Sequence, residues 1–299
     1  MIDIIKQNTY AQLVFIGLTL IASTLVFTAL AFGISVVAWG MDTTTSAMSG
    51  EMNTQIQISI LKLLQFASQL GMFIVPPMAL WLIMRQNNDN YLGLSNTPSP
   101  KQLLYVIAFF IAFIPFLQYT IVLNESMSLG SYFSDLEAWM REKQDINDLL
   151  TEKFLSGNGA STLIINLILM ALMPAIGEEL MFRGLLMNWF KKAFDNIHIV
   201  IFITAVIFSA IHMQFYGFIP RFLLGIALGY IYHWTKNLWA PILLHFINNA
   251  TTVVVYYYIN SSNSGIDPKD VGTVDSPILI IASLLASLAI LRLIRGGKE

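Results

Sequence analysis

The chain has 299 residues, of which 56% are hydrophobic and 11% charged, with a net charge of −2 and no cysteine. That charged share is about half of what a soluble domain carries. With a mean hydropathy of +0.66, it excludes a soluble globular protein and predicts an all-α fold, a polytopic membrane helix bundle. No basic run points to nucleic acid, and the lack of cysteine removes disulfides, thiolate metal sites and a cysteine nucleophile.

Taken in order, the apolar runs predict eight transmembrane helices at 11–39, 57–84, 102–123, 161–187, 198–213, 220–235, 239–258 and 276–294. They are matched to a hydrocarbon core of roughly 30 Å. The first begins after Lys6 and contains Ala29-Leu30-Ala31, which resembles a signal-peptide cleavage site. It continues through Phe32–Val37 without a polar break, so a retained anchor is expected. The segment 125–160 is the one sizeable piece between spans. Ser134 and Glu137 have capping-box spacing. Beyond them Leu136, Trp139, Met140, Ile146, Leu149, Leu150 and Phe154 recur among charges, as in one or two amphipathic helices lying on the membrane. Gly225 and Gly229 form a GxxxG pair that permits close packing of the sixth span. The chain divides into N-terminal helices (1–124), the extracytoplasmic amphipathic segment (125–160), a helical core (161–258) and a C-terminal loop with the last helix (259–299).

Loop charge predicts the orientation. Lys6, Arg85, Lys101, Lys191, Lys192, Lys236, Arg292, Arg295 and Lys298 fall on one side, against Arg141, Lys143, Lys153 and Lys269 on the other. The positive-inside rule then puts both termini in the cytoplasm, and a cell-membrane location is expected. Lys62 and Arg221 fall near outer-leaflet helix ends, where long side chains snorkel.

The fourth span is interrupted by Glu178-Glu179-Leu180-Met181-Phe182-Arg183. One ionised group at the centre of a membrane helix costs roughly 2.5 to 3.5 kcal/mol on insertion scales, so three within six residues call for a function. Glu179 and Arg183 are four apart and share a face, which makes Arg183 a structural cation for Glu179. Glu178, rotated by about 100°, is left for chemistry as a general base. Pro174 removes an amide hydrogen and bends the helix one turn earlier, as suits a water-lined cavity. His212 ends the fifth span at a depth similar to Glu178, and His245 and Asn249 share a face of the seventh. His198 and His233 lie at helix ends and read as interfacial. Neither an HExxH helix nor a GxSxG elbow is present.

These residues resemble a known family. Glu178-Glu179-x-x-x-Arg183, Phe208-x-x-x-His212 and His245-x-x-x-Asn249, in that order and each inside an apolar span, look like the three motifs of the CPBP family. That family comprises CAAX-prenyl endopeptidases and bacteriocin-processing or abortive-infection (Abi) proteins. The resemblance covers about residues 160–255. It implies an intramembrane endopeptidase with a cavity open to the cytoplasm, acting on a peptide or protein substrate that is lipidated or membrane-embedded, among membrane lipid. It also implies that Glu178 and His212 activate water while His245 and Asn249 support the oxyanion.

The family is labelled metalloprotease as well as metal-free glutamate protease. Zinc takes three ligands and an open position, which Glu178, His212 and His245 are able to supply. A zinc hydrolase also wants a separate base, and Glu179 is committed to Arg183. No cofactor is therefore favoured, and zinc stays open. Two readings from other classes stand beside the enzyme: an ion-coupled transporter with a proton relay, and a non-catalytic membrane immunity or scaffold protein. The lack of repeated halves speaks against the transporter.

Overall fold

The computed structural model describes residues 2–85, 90–157, 159–262 and 265–296. Lys298, counted above for orientation, lies outside them, as does the side chain of Lys269. The described residues form eleven helices: α1 (Ile2–Gln7), α2 (Thr9–Trp39), α3 (Met41–Met48), α4 (Gln55–Met84), α5 (Pro100–Glu125), α6 (Ser134–Leu155), α7 (Ala160–Phe190), α8 (Ile197–Ala210), α9 (Phe218–Thr235), α10 (Trp239–Ser262) and α11 (Pro277–Gly296). Seven of them, α2, α4, α5, α7, α9, α10 and α11, are long and apolar enough to cross a membrane. No strand occurs among the described residues.

The eighth expected span is α8, and it falls short. Its 14 residues extend about 21 Å at 1.5 Å per residue, against a core of roughly 30 Å. It ends at Ala210, and Met213, directly after His212, adopts a left-handed backbone, φ 52°. The chain then turns through a short 3₁₀ segment, Phe215–Gly217, before α9 runs back. The sequence 198–213 is apolar throughout, so hydropathy alone did not reveal where the helix stops.

Both helices that approach the centre are widened by π-helical turns. In α4 the turn covers Leu70–Ile74, and Val75 donates to the carbonyl of Leu70, five residues back. In α7 the first turn covers Leu167–Leu172, with Met173 donating to Ile168. Each precedes proline, Pro76-Pro77 in α4 and Pro174 in α7. Proline has no amide hydrogen, and the wider register absorbs the lost i→i+4 bond. A second π turn in α7, Leu180–Leu186, contains Arg183.

Helices α4 and α7 run parallel. Lys62 Nζ donates to Asn166 Oδ1 at 2.7 Å, Gln65 Nε2 lies 3.8 Å from Met170 Sδ, and Gly177 abuts Phe73. A Cβ on Gly177 would come within 2.9 Å of Phe73 Cβ, so the approach requires glycine. Lys62 is thus half-buried against Asn166 and lies over the Phe154 ring. The GxxxG pair of α9 packs on α8: a Cβ at Gly225 would meet Ala205 Cβ at 3.1 Å, and one at Gly229 would meet Ile201 Cγ2 at 2.9 Å.

The segment 125–160 forms a single long helix, α6. Ser134 caps nothing with its side chain, contrary to the capping-box expectation. Glu137 instead reaches back to the preceding loop, where its Oε2 accepts from Ser128 Oγ at 2.7 Å and from the Leu129 amide at 2.8 Å. Helix α6 lies across the turn after α8, with the Trp139 ring 5.3 Å from Phe215 and the Arg141 guanidinium 4.4 Å from the Tyr216 ring. At the other end of the bundle, Trp189 Nε1 donates to the Thr9 carbonyl and Ile294 packs with Val106 and Ala240. Both ends of the described chain therefore lie at the end that carries Lys191 and Lys236.

Candidate active site

Helix α7 carries two glutamates that the helical twist sends in different directions. Glu179 and Arg183 are both fully buried, and Arg183 Nη1 donates to Glu179 Oε1 at 2.7 Å. Nη2 of the same guanidinium donates to the carbonyl of Gly225 at 3.0 Å, which ties α7 to the close-packed face of α9. The Phe208 ring lies 4.7 Å from the guanidinium carbon. Such a pair contributes little net stability, because desolvation offsets attraction, yet it holds its members in place.

His245 joins this pair. Its Nδ1 lies 2.9 Å from Glu179 Oε1, where it donates to the carboxylate. Nothing in the spacing of the sequence linked Glu179 to His245; the contact exists because α10 packs against α7. With Nδ1 committed, Nε2 of His245 points the other way, to 3.9 Å from Glu178 Oε2. His212 comes from the other side. Its Nδ1 donates to the carbonyl of Phe208 at 2.8 Å, and its Nε2 stands 3.8 Å from the same Glu178 oxygen. The tautomer with a proton on Nδ1 follows from that carbonyl, which only accepts.

Glu178 is buried, 7% exposed, and its Oε2 receives no hydrogen bond among the described residues. Two imidazole nitrogens thus face one unpartnered carboxylate oxygen at distances too long for direct bonds and suited to a bridging water. Phe208 packs edge-on against both imidazoles, with centroids 5.3 Å from His212 and 5.8 Å from His245. Asn249 lies one turn beyond His245 on α10, and its Oδ1 accepts from Asn248 Nδ2 at 3.1 Å, which leaves its own amide hydrogens for another acceptor. The structure therefore brings Glu178, Glu179, Arg183, His212 and His245 together. It keeps His198, bonded to Tyr230, and His233, beside Lys236, away from them.

Arg221 belongs near this group, although the sequence suggested a lipid-facing role. It anchors to Gln214 in the turn after α8 and lies within electrostatic reach of both Glu178 and Asp148 of α6. The signal that could have found it is its place one turn into a helix whose predecessor ends at a histidine.

A zinc ion would draw on His212 Nε2, His245 Nε2 and Glu178 Oε2. Tetrahedral zinc with bonds of about 2.0 to 2.2 Å sets donor–donor separations near 3.3 Å. The observed 3.8 and 3.9 Å are wider, and among the described residues no group of three or more such side chains is arranged to hold a metal. As placed, the residues do not fit the ion.

Fold and centre together define a polytopic helical membrane protein with an acid, imidazole and guanidinium cluster in its interior. Residues 160–251, the segment that carries the three motifs and less than half of the chain, match the family described as type II CAAX prenyl endopeptidase, Rce1-like. A protein of Bacillus subtilis (strain 168), uncharacterized protein YpbD, is 33% identical over 91 residues, which is 29% of this chain and 43% of that protein. The match thus spans less than half of the relative. No solved structure matches.

Proposed function

We propose that this protein is an intramembrane endopeptidase that hydrolyses a peptide bond with water activated by Glu178 and His212. The observation that carries the reading is the convergence of two imidazole Nε2 atoms on one buried, unpartnered oxygen of Glu178. A water bound in that space would donate one hydrogen bond to Glu178 Oε2. It would donate a second hydrogen bond to His212 Nε2, a lone-pair acceptor because its other ring nitrogen is held by Phe208. Glu178 takes the proton as the water oxygen attacks the scissile carbonyl, then delivers it to the leaving amine.

The oxyanion needs donors. Asn249 offers its amide, and His245 offers Nε2–H when protonated. Glu179, bonded to His245 Nδ1, fixes the ring so that Nε2 faces Glu178. Preorganised donors of this kind contribute roughly 3 to 4 kcal/mol each to the transition state. The substrate class is a peptide or protein reaching membrane depth, lipidated or embedded.

The test is cleavage of a membrane-presented peptide library by the purified protein, with Glu178→Gln alongside and with and without a chelator. Cleavage that survives unchanged in Glu178→Gln would refute the assignment of the base.

A further inference from the structure

Helix α6 turns its polar side to the bundle. Met140, Gln144, Asn147, Asp148 and Thr151 lie half-buried on one face, whereas Leu136, Ile146 and Leu149 stand exposed on the other. An amphipathic helix that only covers a core buries its apolar stripe against it. Here the apolar stripe faces away, as suits a lipid boundary, and the polar stripe lies over the turn between α8 and α9. Asn147 Nδ2 and Thr151 Oγ1 donate to carbonyls of α6 itself, at 2.9 and 2.8 Å. Gln144 Nε2 donates to Asp148 Oδ1 at 2.7 Å. Gln144 Oε1 is left buried with no hydrogen-bond partner among the described residues.

The turn beneath is held by α5 and by its own flanks. Asn124 donates to the Phe215 carbonyl at 3.2 Å and accepts from the Ile219 amide at 2.8 Å. Ser209 Oγ donates to the Phe218 carbonyl at 2.7 Å, and Arg221 holds Gln214. This frame presents Tyr216 to α6. Tyr216 is 5% exposed and lies under the Arg141 guanidinium, yet its hydroxyl also has no hydrogen-bond partner among the described residues. A buried donor or acceptor left unmade is costly, and here one of each borders the same seam. Arg221 leads from that seam to the centre, within electrostatic reach of Asp148 on α6 and of Glu178 and His212. Toward the opposite end, α7 continues through Leu180, Met181, Phe182 and Leu185, all buried in the core.

We propose that the seam between α6 and the 211–221 turn is a substrate subsite, in which the Tyr216 hydroxyl donates to a backbone carbonyl, and Gln144 Oε1 accepts from a backbone amide, of the peptide leading to Glu178. The inference rests on the endopeptidase reading and adds the class of substrate to it: an extended segment that enters from the end of the bundle covered by α6. Every residue of a peptide other than proline carries one backbone donor and one acceptor. A helix satisfies them internally, whereas an extended segment leaves them open to a partner. Tyr216 and Gln144 are positioning residues, since neither reaches the reacting atoms.

The experiment uses the purified full-length chain and a peptide of the membrane-presented library that the wild type cleaves. Cleavage gives kcat and KM. Fluorescence anisotropy of the labelled peptide on Glu178→Gln, which binds without cleaving, gives Kd. Tyr216→Phe and Gln144→Met, the latter two also placed on the Glu178→Gln background for Kd, should each raise KM and Kd about threefold to tenfold, as for one lost hydrogen bond. Their kcat should stay within about twofold, because the groups act on binding alone, and their melting temperatures should not fall. N-methylation of the peptide, one amide at a time, should find a position that weakens binding to the parent and not to Gln144→Met, an effect that a merely structural role would not produce. If Gln144→Met fails to fold, Tyr216→Phe, which removes a single unpartnered oxygen, decides. Unchanged KM and Kd in the variants that fold would mean that the two groups hold ordered water only; the subsite is then refuted while the endopeptidase reading stands. If no library peptide is cleaved or bound, the endopeptidase reading falls and the subsite with it.

Discussion

Replacing Glu179 by Gln separates the two glutamates by what each holds. Glu179 is fully buried and its Oε1 is the acceptor for both Arg183 Nη1 at 2.7 Å and His245 Nδ1 at 2.9 Å. The amide leaves the guanidinium, also fully buried, without a counter-charge in its immediate contact. Stranding one member of a buried pair costs about 3 to 5 kcal/mol. At roughly 2 to 4 °C per kcal/mol, the apparent melting temperature in detergent should fall by about 6 to 20 °C. Glu178→Gln loses no hydrogen bond on Oε2 and removes a desolvated charge, so it should melt within a few degrees of the wild type. Replacing the pair outright, as Glu179→Leu/Arg183→Met, should recover part of the loss while remaining inactive, because a buried ion pair replaced by apolar groups is close to neutral although His245 Nδ1 loses its acceptor. Differential scanning fluorimetry on the four proteins measures this. If Glu179→Gln melts with the wild type, or the double variant is less stable than the single one, the ion pair is not the structural tie inferred here.

The remaining predictions are briefer. Asn249→Ala should lower kcat by about 10²- to 10³-fold with little change in KM, as for a donor used in the transition state. Chelators should leave turnover intact; a stoichiometric zinc lost in both His212→Ala and His245→Ala would replace the metal-free mechanism. Gly225→Val should cost about 1 to 3 kcal/mol by overpacking, since even a Cβ there meets Phe208 at 3.2 Å, and should disturb the ring between the two histidines. Cysteines placed at Lys101 and Glu142 should label from opposite faces of the membrane, Lys101 from the cytoplasm if the loop charges set the orientation. Glu137 is held down to about 2 by Ser128, Arg141 and the Leu129 amide. The docking of α6 on the 128–130 loop should therefore be fully present above the ordinary carboxylate range and be lost as the pH falls toward 2, a dependence that Glu137→Gln removes from hydrogen exchange in that loop.

Much of the fold was legible because hydropathy reports lipid-facing helices directly: seven of the eight expected spans correspond to long apolar helices. The eighth was misjudged for a physical reason. Ile201 and Phe208 of this run are buried against α9 while Ile199 and Phe202 are exposed; both faces are apolar, so hydropathy carries no mark of where the helix stops. The Glu179–Arg183 contact was legible from i, i+4 geometry, because it lies within one helix. The His245–Glu179 bond was not, since it depends on how α10 is rotated against α7.

Arg221 was misread through the same short helix. If α8 crossed the whole membrane, the start of α9 would sit at the far interface and an arginine there would reach lipid headgroups. Because α8 stops after about 21 Å, with His212 two residues past its end and Met213 left-handed, the start of α9 lies near Glu178, within electrostatic reach through Arg221. Non-helical backbone at that depth is tolerated only where protein or a water-filled space surrounds it. Here α6 supplies the protein, through Trp139 on Phe215 and Arg141 on Tyr216. A shortened helix, a left-handed residue and a covering amphipathic helix are thus one device: together they let a polar turn carrying His212 and Arg221 stand beside a buried glutamate.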